Sequence, residues 1–114
     1  MKALLIPIDG PARVVNLPRG GTRFMRSLKA LIGTDCAERI QVTSRWEAWL
    51  DEDGAAAGKP VNHAATVVAQ SFSFGFSFLG PVVIVGVDKD TAEPAALSPA
   101  QADAILEKIR APSA

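Results

Sequence analysis

The chain holds one cysteine, one histidine and no net charge, and each shortage removes a class of function. Cys36 alone cannot form an internal disulfide, which suits a reducing compartment. It follows an expected helix end and lies beside Asp35 and Glu38, surroundings that disfavour a thiolate. One histidine and one cysteine fall short of the three or four nitrogen and sulfur ligands that zinc takes. His63 has no serine in a Gly-x-Ser-x-Gly turn to act upon, so a hydrolase triad lacks its nucleophile. No cofactor site is expected. Long apolar runs are also missing. The opening stretch Ala3-Leu4-Leu5-Ile6 stops at Pro7, well short of the roughly 7–15 residues of a signal core. Nothing approaches the ~20 residues of a membrane span, and a cytoplasmic location is expected.

What remains is enough for a fold. Of the 114 residues, 48% are hydrophobic, which supports a buried core in one domain over residues 1–110. The tail at 111–114 is expected to fray. Two apolar runs flank Asp9-Gly10, the turn chemistry of a β-hairpin, with Pro7 and Pro11 placing its tip at a sheet end or edge. Phe24, Leu28, Leu31 and Ile32 share one helical face, with Thr22 as the expected cap and Gly33 as the stop. From Arg39 to Asp51 the residues alternate, as one long strand or as two with a reversal near Thr43-Ser44-Arg45. Asn62 is placed to cap a short helix. Val82 to Val87 is apolar on both faces and belongs at the centre of a sheet. Ser98-Pro99-Ala100-Gln101 opens the last helix with a capping box. The expected architecture is α+β: a mostly antiparallel sheet of four to five strands, with two main helices packed on one face.

Two loops imitate ligand motifs and depart from both. Gly54-Ala55-Ala56-Ala57-Gly58-Lys59-Pro60 has three residues between its glycines where a phosphate loop has four, and Pro60 stands where Ser or Thr should follow Lys. Asp51-Glu52-Asp53-Gly54 resembles the start of a calcium loop, yet Ala56 and Asn62 occupy its glycine and glutamate positions. A charged turn accounts for these residues. Charge is uneven along the chain, since residues 1–33 carry six basic residues against Asp9, a local net of +5. Arg19, Arg23, Arg26 and Lys29 form a candidate basic face for nucleic acid or an acidic partner, or else an ordinary solvated helix face. In Ser71-Phe72-Ser73-Phe74-Gly75-Phe76-Ser77-Phe78, four rings recur at period two. A strand would project all four from one face. That face covers the core, or the segment is a strand or flexible loop whose rings meet a partner or a second subunit; no Arg or Lys is interleaved as in a nucleic-acid stacking platform.

The order of these features is similar to that of a family of small uncharacterised proteins from actinobacteria, plasmids and phages, a domain of unknown function. The matching pieces are Ala3-Leu4-Leu5-Ile6-Pro7, Leu31-Ile32-Gly33, Leu50 to Gly54, Gly58-Lys59-Pro60-Val61-Asn62 and Leu97 to Gln101. The most specific is the acidic-Gly-x₃-Gly-Lys-Pro-Val-Asn run. The resemblance implies no catalytic residues. The leading expectation is therefore a non-catalytic accessory or regulatory protein, of plasmid or phage origin, that binds a protein partner or itself through Phe72, Phe74, Phe76 and Phe78. A second expectation is a small-ligand, nucleotide-like binder with Lys59, Asn62 and His63 in a pocket. The third is nucleic-acid binding through the basic helix. No membrane partner is expected.

Overall fold

Residues 1–110 are described by the computed structural model, and the tail expected to fray at 111–114 lies outside them. Strands β1 (Lys2–Ile6) and β2 (Arg13–Asn16) form the predicted hairpin, with Leu4 opposite Val14 and Ala3 opposite Val15. Gly10 in its turn has φ 89, a left-handed conformation that glycine adopts without a Cβ clash. Helix α1 (Gly21–Ile32) buries Phe24, Leu28 and Ile32 and stops at Gly33, whose left-handed backbone lets its N–H donate to Lys29 O. Thr22 is not the cap. Gly20 holds that position without a side chain, so Thr22 is already the second helical residue and its hydroxyl cannot reach back as a cap does.

The alternating stretch is two strands. β3 (Ala37–Gln41) and β4 (Trp46–Asp51) pair antiparallel, and the reversal between them is held by Thr43 Oγ1, which accepts from the N–H groups of Arg45 and Trp46 at 3.1 Å each. Helix α2 (His63–Ser71) starts at Asn62 as predicted. β5 (Val82–Val87) stands in the middle of the order β2-β1-β5-β4-β3, and the short β6 (Pro94–Ala95) takes over beside it where β1 ends. Every described pairing is antiparallel. Helix α3 (Pro99–Arg110) carries the capping box: Gln101 N–H donates to Ser98 Oγ at 3.1 Å, and Ser98 N–H reaches Gln101 Oε1 at 3.4 Å.

Strand alternation divides the apolar residues into two cores. Leu4, Ile6, Trp46, Ala48, Leu50, Val82 and Ile84 meet Val68, Phe78 and Ile105 on one side. Ala3, Leu5, Trp49, Val83 and Val85 meet Phe24, Leu28 and Ile32 on the other. Two helices do share a face, but they are α2 and α3; α1 covers the opposite face alone. The double-sided apolar pattern of β1 and β5 demands this, because each uncovered Leu or Val would forgo about 1.5–3 kcal/mol of burial.

Candidate functional site

The end of the most specific sequence motif, Lys59 to Asn62, becomes an internal brace. Asn62 is 1% exposed at the start of α2. Its Nδ2 donates to Ile6 O at 2.9 Å and Gly80 O at 3.0 Å, while its Oδ1 accepts from Ala65 N at 3.0 Å. One side chain therefore joins the end of β1, the entry to β5 and the first turn of α2. Lys59 lies along Gly80, so closely that a Cβ there would stand 2.7 Å from Lys59 Cδ. Its Nζ donates to Asp51 Oδ2 at 2.8 Å and to the last carbonyls of α1, Ile32 at 3.2 Å and Gly33 at 3.1 Å. Asp51 also accepts from Thr34 Oγ1 and Asp53 N, both at 2.9 Å. The Lys59 contact is the strongest of the interactions that hold its carboxyl below the usual range.

These bonds account for all three Lys59 ammonium donors and both Asn62 amide hydrogens, so neither is free for a ligand. His63 is exposed at the first residue of α2. The expected pocket of Lys59, Asn62 and His63 is thus corrected: two of the three are committed inward and the third faces solvent. The loop between Asp51 and Lys59 closes on itself, with Ala57 N–H donating to Asp53 O and Lys59 N–H to Gly54 O. Gly54 and Gly58 N–H groups donate within it to Asp51 O and Ala55 O, while Glu52 N–H donates to Cys36 O and Asp53 N–H to the Asp51 carboxylate.

The four phenylalanines do not form a strand. Residues 72–78 leave α2 as a loop, in which Phe72 and Phe74 N–H groups both donate to Ala69 O and Ser73 turns left-handed at φ 65. That turn breaks the period-two geometry, so the rings separate. Phe78 is 1% exposed in the core, drawn in by bonds from its own N–H to Thr66 Oγ1 and from Asn62 N–H to its carbonyl. Phe72 is half-buried, edge-on to Trp46 at 5.4 Å. Phe74 stacks on Phe78 with centroids 6.1 Å apart, and Phe76 leans on both at 5.9 and 5.7 Å. Phe76 alone remains largely outside, at 47% exposure.

Arg19, Arg23 and Arg26 are exposed and Lys29 is half-buried, all on or just before α1. None of the four forms an ion pair among the described residues. Cys36 is exposed. Among the described residues no three His, Cys, Asp or Glu side chains gather to hold a metal, and no helix is long and apolar enough to cross a membrane.

One polar group escaped the sequence reading. Glu47 is fully buried on β4, paired at 2.7 Å with Arg39 Nε, and its Oε1 has no hydrogen-bond partner. Arg39 also donates to Ala92 O and lies 5.9 Å from the Trp49 ring. Burial pushes the Glu47 carboxyl up, against the pull of Arg39. Beside this group, Trp49, Arg39, Phe24 and the Gly20-Gly21 entry to α1 border an open cleft of about 570 Å³. Alternation placed Glu47 on the polar side of its strand. The only signal in the sequence was Trp49, an apolar residue on that otherwise polar face.

No curated protein and no solved structure matches the chain. A family model does, over residues 1–110 and hence the whole described fold: the chain belongs to the family of the domain of unknown function DUF3846.

Proposed function

We propose that the chain is a non-catalytic accessory or regulatory protein that works by binding another protein, a second copy of itself included, through the loop of Phe72–Phe78. A cytoplasmic, plasmid or phage setting belongs to the same reading. The observation that carries it is Phe76, a large ring left 47% exposed on a support of two stacked rings. Aromatic anchors of this kind dominate interface energies, and a pre-stacked support lowers the ordering cost of binding.

A photo-crosslinking residue in place of Phe76, expressed in the native host, should give a discrete protein adduct. Phe76→Ser should abolish the same complex while leaving the thermal melt unchanged, whereas Phe78→Ser should unfold the chain. No adduct at position 76, together with a monomer by light scattering over a concentration series, would overturn the reading.

A further inference from the structure

β2 is an edge strand, and its ladder geometry fixes which of its backbone groups are used. Met1 and Leu17 exchange both hydrogen bonds, at 2.5 and 2.8 Å. In an antiparallel ladder bonded pairs alternate, so Ala3 with Val15 and Leu5 with Arg13 are the next bonded pairs. Val14 and Asn16 therefore aim their N–H and C=O groups away from β1, and neither has a partner among the described residues. The opposite edge, β3, carries Glu38, Arg39 and Gln41, the charged and polar side chains that discourage pairing. β2 carries Arg13 and Asn16 but also presents Val14, an apolar side chain 49% exposed.

A groove runs along each face of this edge. Towards α3, Val14 faces Leu97, Ala102 and Leu106 across about 380 Å³. Towards α1, Arg13 and Val15 face Ser27, Ala30 and Leu31 across about 590 Å³. Arg23 and Arg26 stand one helical turn before Ser27 and Ala30, so they extend the same flank, and with Arg13 they are exposed and unpaired among the described residues. We propose that the open edge of β2 receives an extended segment of a partner protein as an added strand. Its side chains alternate between apolar, towards α3, and acidic, towards α1. Strand addition supplies the bonding partners that Val14 and Asn16 lack, and the two grooves read alternate side chains. The occupant is not a second copy. Two antiparallel β2 strands related by a two-fold axis would put both α1 helices on one face of the joined sheet, gathering Arg13, Arg23 and Arg26 of both copies on that side as like charge.

The site does not rest on the Phe76 surface, and Phe76→Ser should bind the probe below as wild type does. The probe is a nine-residue acetylated peptide alternating valine or threonine with glutamate, titrated into the full-length chain by NMR. Amide shifts and exchange protection should centre on Val14 and Asn16. Val14→Pro removes one outward donor and spares the β1 ladder, and it should weaken binding about tenfold. Methylating the peptide's own inward amides should do the same with the unaltered protein, which covers the case of a poorly folded proline variant. Lysine in place of glutamate in the peptide should abolish binding. Equal binding of the N-methylated peptide, or shifts centred away from β2, would overturn the proposal. So would a β2-linked homodimer in the absence of peptide. An oligothymidine that competes for the same residues with affinity indifferent to Val14→Pro would assign the edge to nucleic acid instead.

Discussion

Burial raises the carboxyl of both Glu47 and Asp51 on β4, yet their net shifts have opposite signs. Asp51 meets Lys59, Thr34 and a backbone N–H, and its carboxyl is held low. Glu47 meets one guanidinium in a closed space, and desolvation lifts it. The linkage signs follow. Asp51 stabilises the fold above its unfolded pKa, and that contribution is lost as pH falls through the depressed folded value. The contribution of Glu47 is greatest below its unfolded pKa and fades as pH rises through the elevated folded one. Urea unfolding of Asp51→Asn from about pH 2 to pH 7 should show a shallower loss of stability on acidification than wild type. Glu47→Gln should remove a decline that sets in as pH rises above the ordinary carboxylate range. If both variants track wild type in shape, the two environments described above are wrong.

At the level of elements, the least forgiving point is Gly86 in β5. A Cβ there would lie 2.5 Å from Ala96 O, a backbone atom that cannot swing aside. Gly86→Ala should part β5 from β6 at the cost of about 1–3 kcal/mol, read as a lower urea midpoint with unchanged slope. Elements with strong local chemistry were legible in the sequence: the Asp9-Gly10 hairpin, Gly33 as a helix stop, the Asn62 cap and the Ser98–Gln101 box all appear where they were expected. Readings that depended on tertiary context were not. Strict alternation from Phe72 to Phe78 left a strand and a flexible loop both open, and the loop forms because Thr66 and Asn62 capture Phe78 and the left-handed Ser73 turns the chain off line. Lys59 and Asn62 drew notice as polar residues in a specific motif. Nothing in the sequence reveals that their partners are carbonyls of Ile32, Gly33, Ile6 and Gly80, contributed by other elements.

The whole molecule is one sheet serving two cores, and neighbouring residues of β1, β4 and β5 belong to different ones. Such sharing should make unfolding a single transition. The two tryptophans offer a test, since Trp46 lies under α2 against Phe72 and Trp49 lies under α1, edge-on to Phe24 at 5.9 Å. In Trp46→Phe and in Trp49→Phe, the remaining fluorophore should melt together with the far-ultraviolet circular dichroism. Separation of the two signals in either variant would mean that one face opens independently. The Asn62 brace has a further consequence in time. Its amide joins positions 56 and 18 residues distant, Ile6 and Gly80, which become neighbours only after β1 has docked beside β5. The expectation is that such bonds close after the rate-limiting step: Asn62→Ala should accelerate unfolding in stopped-flow chevrons and leave the refolding arm nearly unmoved, and an equal slowing of refolding would place the brace before the barrier. On that expectation this asparagine governs how long the folded chain lasts rather than how quickly it forms.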